Sequence, residues 1–117
     1  MRLQGLRTVI YPAEDLEGAT SWWSAVLGQQ PYFKEPFYVG FEVGGDELGL
    51  LPDADAGDGA QVYWGVDDVQ TSLDEAVGLG AKVVAAPADV GGGIVTALVR
   101  SPQGALVGLI FNPNHQV

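Results

Sequence analysis

Apolar and polar residues follow the same succession of patterns twice along the chain. Residues 5–13 alternate, which predicts a β-strand, and Asp15 is placed to cap a helix that begins at Leu16. Gly28 predicts the end of that helix. Its apolar positions recur at helical spacing: Leu16, Ala19, Trp22, Trp23, Val26 and Leu27. Three further strands are predicted over residues 30–34, 37–43 and 47–51, with a turn at Gly44-Gly45-Asp46.

The second half of the chain repeats this order after a polar segment at residues 53–59. Residues 60–66 predict a strand, Asp68 predicts a helix cap, and Gly80 predicts the helix end. The apolar positions of this helix are Val69, Leu73, Ala76, Val77 and Leu79. Strands are predicted at 82–86, 94–100 and 105–112. The glycines 91–93 predict a turn, with a lid as the alternative.

A duplicated strand–helix–strands unit indicates two modules that share one domain. We therefore predict a single domain over residues 1–117, with module one at about 5–52, a linker at 53–59 and module two at about 60–113. The predicted fold class is α+β, in which two βαβββ modules form a curved mixed sheet around a cleft.

Strand alternation predicts which side chains face that cleft. The predicted ligand-binding residues are Thr8, Ile10, Glu47, Gly49, Leu51, Gln61, Tyr63, Leu106, Gly108 and Ile110, with Tyr38 at the rim. Glycine within a strand often marks close approach by a ligand or by another backbone. Gly49 and Gly108 therefore favour an open pocket, and the alternative is that they let the modules pack closely. Further aromatic residues are candidates for the rim: Trp22, Tyr32 and Phe37. Trp23 and Trp64 are expected in the core.

Charge and composition exclude several function classes. The net charge is −10, and five scattered basic residues offer no stripe for phosphates, so a nucleic-acid partner is not expected. The chain has no cysteine, which excludes disulfides and thiolate chemistry. Its apolar runs are too short to span a bilayer, so we expect no membrane partner and a cytoplasmic location.

The order of these landmarks resembles the vicinal-oxygen-chelate superfamily, the group of glyoxalases, bleomycin resistance proteins and extradiol dioxygenases. The landmarks are Asp15-Leu16 at the first helix, Trp22-Trp23 before Gly28, and Asp67-Asp68-Val69 at the second helix. The turn at residues 101–104, Ser-Pro-Gln-Gly, is similar to the family's Asp-Pro-x-Gly turn, with Ser in place of Asp. The resemblance covers about residues 5–112 and implies the glyoxalase/bleomycin-resistance fold.

The resemblance also implies where a divalent metal would bind in this chain. Metal-dependent members place one ligand near the start of each module and one on its last strand. The matching positions here are Thr8, Gly49, Gln61 and Gly108. Glycine has no side-chain donor, and the neutral Thr and Gln oxygens bind such metals poorly. We therefore predict no metal and no cofactor. The only histidine, His115, follows the last strand and is expected in a flexible tail.

The favoured function is metal-independent binding of a small molecule, similar to the drug-sequestering resistance proteins of this fold. A hydrophobic or cationic aromatic compound would suit the aromatic residues and the acidic surface. The alternatives are a metal-free lyase or isomerase that uses Glu42 or Glu47 as a base, and a non-catalytic interaction or regulatory module. The resemblance further implies a homodimer, for which the aromatic segment from Gln30 to Val43 is the predicted contact.

Overall fold

The computed structural model describes residues 3–115 and divides them into two compact units. The first unit is Thr8–Gln61, and the second comprises the residues up to Arg7 together with those from Val62 onward. The order of elements is β1 (Leu6–Pro12), α1 (Leu16–Leu27), β2 (Phe33–Glu35), β3 (Tyr38–Val43), β4 (Asp46–Leu51), β5 (Gln61–Gly65), α2 (Val69–Gly78), β6 (Lys82–Asp89), β7 (Val95–Arg100) and β8 (Leu106–Phe111). This is the predicted α+β fold of two βαβββ repeats.

In the first unit, four strands form a mixed sheet in the order β2-β3-β4-β1. β1 runs parallel to β4, and the other neighbours are antiparallel. α1 covers one face of this sheet because its apolar side chains Leu16, Ala19, Trp23 and Leu27 pack against a buried cluster of Ala13, Val39, Phe41 and Leu50. The opposite, helix-free face carries the alternate residues of each strand.

The second unit repeats this arrangement with the strand order β5-β8-β7-β6. β5 runs parallel to β8, and the remaining pairs are antiparallel. α2 buries Val69, Leu73 and Ala76 against one face of the sheet, where a single cluster also contains Val66, Ala97, Val99 and Leu109. Each repeat therefore buries one stripe of its helix on one sheet face and leaves the other face uncovered by that helix.

Both helices begin and end where the sequence predicts. Asp15 and Asp68 are the N-caps, and each accepts a hydrogen bond of 3.0 Å from a backbone amide in the first turn. Gly28 adopts a left-handed conformation with φ 68° and closes α1. Gly80 follows the Leu79 C-cap of α2 with φ 106°.

Two strand boundaries differ from the predictions, and the linker contains an element that was not predicted. β2 begins at Phe33 rather than residue 30, after Pro31, which has no amide to donate. β6 extends to Asp89 rather than 86, because its pairing with β7 continues beyond two irregularities. The polar linker contains a short 3-10 helix at Ala56–Asp58, capped by Asp55.

The glycine loops are hydrogen-bonded turns. Gly44 and Gly45 have φ of 59° and 90° and join β3 to β4 with the positive angles that a tight hairpin requires. In the loop between β6 and β7, Val90 donates to Ile94 O at 2.8 Å, and Ile94 donates to Gly91 O at 3.1 Å. The prediction of a turn at 91–93 is therefore confirmed. Within residues 3–115, neither helix is long and apolar enough to cross a membrane.

Candidate functional site

The helix-free face of the first unit carries a glutamate held between two tyrosines. Tyr32 donates a hydrogen bond to Glu47 Oε1, and Tyr38 donates one to Glu47 Oε2. We call Tyr32, Tyr38 and Glu47 the tyrosine–glutamate cluster. Glu47 and Tyr38 are half-buried, whereas Tyr32 is exposed. An ionised carboxylate has about four acceptor positions, so two hydrogen bonds leave room for ligand donors.

Two glycines give these tyrosine rings the space they occupy. A Cβ at Gly49 would lie 2.7 Å from Tyr38 Cζ, and one at Gly40 would lie 3.1 Å from Tyr32 Cε1. Gly40 and Gly49 are directly paired across β3 and β4, so the two rings lie over adjacent backbone positions. The helix-free face is therefore covered by aromatic rings whose hydroxyls meet at one carboxylate.

Desolvation at its hydroxyl and the carboxylate of Glu47 both affect the pKa of Tyr32, although most of its side-chain surface is exposed. Desolvation raises the pKa of its hydroxyl, and the hydrogen bond and negative charge of Glu47 raise it further, well above the usual value. Tyr32 therefore remains a protonated donor to Glu47 under ordinary conditions.

The second unit also places the ring of one tyrosine over a glycine. Tyr63 is paired with Gly108 across β5 and β8, and a Cβ at Gly108 would lie 2.6 Å from Tyr63 Cγ. Tyr63 is buried, with 9% of its surface exposed, and this burial raises the pKa of its hydroxyl. The ring fills the space that the missing side chain of Gly108 leaves.

The other predicted ligand-binding residues are distributed over both units. In the first unit, Thr8 pairs with Glu47 and Ile10 with Gly49, so these residues share the helix-free face, and Leu51 follows on β4 by alternation. In the second unit, Leu106 and Ile110 flank Gly108 on β8. Gln61 begins β5 and is half-buried. A role of these residues in binding remains a prediction.

The four positions that match metal ligands do not fit a divalent ion. Gly49 and Gly108 have no side-chain donor, and the space beside each is filled by the ring of Tyr38 or Tyr63. Thr8 and Gln61 supply neutral oxygens only. Over residues 3–115, His, Cys, Asp and Glu form no group of three or more that could hold a metal.

A cavity in the second unit is lined mostly by residues for which no ligand-binding role was predicted. Its volume is about 720 Å³, and its lining residues are Leu3, Gln4, Arg7, Gly65, Val66, Asp67, Ile110, Phe111, Asn112, Pro113 and His115. Only Ile110 among them was predicted to face a ligand. His115 is half-buried, and its amide donates to Asn112 O at 3.2 Å in the turn that follows β8. The turn after β8 returns His115 to the cavity wall.

The candidate rim aromatics divide between surface and core. Trp22, an apolar position of α1 and a rim candidate, is 60% exposed and packs edge-on against Trp23. Phe37 is also exposed, whereas Trp23 packs against the core as predicted.

Comparisons with known proteins place this architecture in a family. The glyoxalase-like domain family matches residues 8–110. No curated protein sequence matches the chain significantly. The fold is similar to that of Streptomyces coelicolor methylmalonyl-CoA epimerase in complex with 2-nitronate-propionyl-CoA, at 16% identity, a TM-score of 0.78 and 99% coverage of both chains.

Two other solved structures have the same fold. A hypothetical protein from Bacillus halodurans C-125 is 14% identical, with a TM-score of 0.76 and 96% coverage of both chains. The Mn(II)-bound glyoxalase from Novosphingobium aromaticivorans is 19% identical with a TM-score of 0.74, and the match covers 94% of this chain and 39% of that one. With its two βαβββ repeats and this family match, the chain belongs to the glyoxalase-like domain family of the vicinal-oxygen-chelate superfamily.

Proposed function

We propose that this protein binds a small cationic aromatic or hydrophobic compound without a metal. The tyrosine–glutamate cluster carries the proposal, because it combines one negative charge with two aromatic rings on the helix-free face of the first unit. Aromatic faces attract organic cations, and a carboxylate with free acceptor positions binds their N–H groups. The net charge of −10 favours the approach of such ligands.

Metal independence is the second part of the proposal. A metal site of this fold would need a donor at Gly49 and Gly108, and each glycine has a tyrosine ring in its place. We expect elemental analysis of untagged protein to find no stoichiometric zinc, nickel, iron or manganese. One equivalent of any of these metals per chain would contradict this part of the proposal.

The binding proposal is tested with three planar probes of similar shape. Benzamidine is a cation, benzamide is neutral and benzoate is an anion. We expect benzamidine to shift the amide NMR signals of β3 and β4, with benzamide binding at least about tenfold more weakly there, as is usual when a charge-assisted hydrogen bond is lost. Glu47→Gln should remove this preference for benzamidine.

Glu14→Gln is the matched control. Glu14 is exposed, belongs to the same unit and lies in the turn between β1 and α1, away from β3 and β4. This control removes the same charge without touching the cluster, so benzamidine should still bind with its preference. Equal binding of benzamidine and benzamide to the unmodified protein, or equal losses in the two variants, would count against the proposal.

A metal-free lyase or isomerase is the alternative function, and one observation favours it. Glu47 is half-buried beside two hydroxyl donors, an arrangement in which a base and donors to a developing oxyanion lie together. Turnover that survives EDTA and disappears in Glu47→Gln would support this alternative over simple binding. An interaction or regulatory module is the third possibility, and failure of every probe to bind would favour it.

We also propose that the protein forms a homodimer through residues 30–43. β2 is the edge strand of the sheet in the first unit, and all three of its residues are exposed. Tyr32 and Phe37 are each 61% exposed in the same segment. Sedimentation should show a dimer at ~100 µM, a concentration at which a standard-sized interface is populated, and Phe37→Glu should shift it towards monomer. A monomer at that concentration would overturn this proposal.

A further inference from the structure

We propose that the second unit has a separate binding site for a small monocarboxylate, with Arg7 as its counter-ion. The site is the cavity of about 720 Å³ that Arg7 lines together with Gly65, Phe111 and His115. All of its lining residues belong to the second unit, so this site is distinct from the tyrosine–glutamate cluster. A volume of this size is typical of pockets for small ligands.

Arg7 lies in a space formed by two glycines. A Cβ at Gly65 would lie 2.8 Å from Arg7 Nε and 3.1 Å from its Cγ, and a Cβ at Gly5 would lie 3.1 Å from one terminal guanidinium nitrogen. The two glycines are joined by a hydrogen bond of 2.9 Å from the Gly65 amide to Gly5 O. The arginine therefore lies against bare backbone at the cavity wall, in a position that a side chain at residue 65 would obstruct.

The guanidinium of Arg7 is available for a ligand. Arg7 is half-buried, and its guanidinium makes no hydrogen bond or ion pair within residues 3–115, although the chain contains 15 acidic residues. A guanidinium presents parallel N–H donors that match the two oxygens of a carboxylate. Partial burial strengthens such a pair relative to one in open solvent. An unpaired arginine in this setting therefore favours a carboxylate ligand.

The remaining walls define the rest of the ligand. Leu3, Val66, Ile110, Phe111 and Pro113 form an apolar surface for a compact hydrocarbon body. The imidazole ring of His115, which also lines the cavity, has at least one N–H donor whether it is neutral or charged. Asp67 accepts a hydrogen bond from the Gln4 side chain and adds a negative charge at the wall. That charge disfavours multiply charged anions such as phosphate, so a ligand with a single carboxylate fits best.

Benzoate is the probe for this site, with benzamide as the neutral match and inorganic phosphate as the competing anion. In NMR titrations of the intact protein to about 10 mM probe, a range suited to weak fragments, benzoate should shift the signals of Gly65, Val66 and Phe111. Benzamide and phosphate should each bind there at least about tenfold more weakly.

Three variants separate the role of Arg7 from general charge effects. Arg7→Met should abolish the preference for benzoate over benzamide. Gly65→Ala should weaken benzoate binding several-fold while keeping the charge, because its methyl group displaces the arginine side chain. Arg100→Met is the matched control, since Arg100 belongs to the same unit, lies outside the cavity lining and donates to Gly104 O at 2.9 Å. This control should leave benzoate binding unchanged.

The outcomes decide the proposal even if one variant fails to fold. Equal binding of benzoate and benzamide to the unmodified protein would overturn it, as would signals that shift only outside the cavity. Phosphate binding as tightly as benzoate would overturn the assignment to monocarboxylates. Retention of benzamidine binding in Arg7→Met, together with loss of benzoate binding, would show that the two sites are independent.

Discussion

Each repeat places a tyrosine ring over the glycine of its last strand, Gly49 on β4 or Gly108 on β8, but the strand that supplies the tyrosine differs between the repeats. In the second unit Tyr63 comes from β5, directly paired with Gly108, and is buried. In the first unit the position equivalent to Tyr63 is Ile10, which pairs with Gly49, and the ring over Gly49 belongs to Tyr38 on β3. Tyr38 is half-buried and directs its hydroxyl to Glu47. The same gap in two related sheets is therefore filled by a core residue in one and by part of a polar site in the other.

We propose that this difference reflects separate roles of the two repeats. A buried ring packed on a glycine contributes mainly to stability, because its environment leaves little freedom for movement. A half-buried ring that shares a carboxylate with another tyrosine keeps part of its surface exposed. We therefore propose that the tyrosine–glutamate cluster serves binding and that the Tyr63–Gly108 pair serves packing.

The largest expected difference between the units is in the free energy of unfolding that is lost when the ring of Tyr63 or Tyr38 is removed. Tyr63→Ala should lower the free energy of unfolding by about 3 kcal/mol or more, as is usual for loss of a buried aromatic side chain. Tyr38→Ala should cost only about 1 kcal/mol because that ring is half-exposed. Denaturant unfolding measures both values, and Tyr63→Phe and Tyr38→Phe are controls that keep the rings. Equal losses from the two Ala variants would contradict the separation of roles.

Replacing the glycine beneath each ring by alanine should give a smaller difference in the free energy of unfolding, again with the larger loss in the second unit. Gly108→Ala should lower the free energy of unfolding by about 1–3 kcal/mol, because buried Tyr63 cannot move away without disturbing the core. Gly49→Ala should change it by less than about 1 kcal/mol, since Tyr38 can swing outward and the unfolded chain loses entropy.

The Gly49→Ala variant also has a consequence for binding. Displacement of Tyr38 breaks its hydrogen bond to Glu47, so benzamidine affinity should fall several-fold in this variant and stay unchanged in Gly108→Ala. Combining Gly108→Ala with Tyr63→Ala should cost less than the sum of the two, because the truncated side chain leaves room for the methyl group. Strict additivity would show that the methyl group and the ring do not compete for space.

The smallest effect concerns tyrosine ionisation at high pH. Desolvation of the hydroxyl and the interaction with Glu47 together raise the folded-state pKa of Tyr32 above the ordinary value of about 10. For Tyr63, burial raises the folded-state pKa. The resulting stability is complete below pH ~10 and is lost as the pH rises through the folded-state pKa, because the unfolded chain releases these protons first.

Glu47→Gln should separate the two tyrosines in this titration. Tyrosinate absorbance should show one titrating group that is absent in Tyr32→Phe. In Glu47→Gln the pKa of this group should fall but remain raised by desolvation. The pKa of Tyr63 should not change, since burial raises it and Glu47 belongs to the other unit. An unchanged Tyr32 titration in Glu47→Gln would show that the carboxylate does not control this hydroxyl.

Local patterns in the sequence determined the fold. The N-caps Asp15 and Asp68, the helix ends at Gly28 and Gly80, and strand alternation are set by interactions within a few residues, and the structure confirms them. Duplication of these signals was sufficient to identify the two βαβββ repeats. The resemblance to the vicinal-oxygen-chelate superfamily further implied that Gly49 and Gly108 stand where metal-dependent members place ligands.

Tertiary structure alone decided what occupies the space beside those glycines. Tyr38 and Glu47 are nine positions apart and Tyr32 lies farther still, so their meeting depends on the pairing register of β3 and β4 and on side-chain rotamers. Arg7 and His115 join one cavity from opposite ends of the chain, which no local pattern signals. Periodicity specifies which face a residue occupies, whereas long-range packing determines which side chains meet on that face.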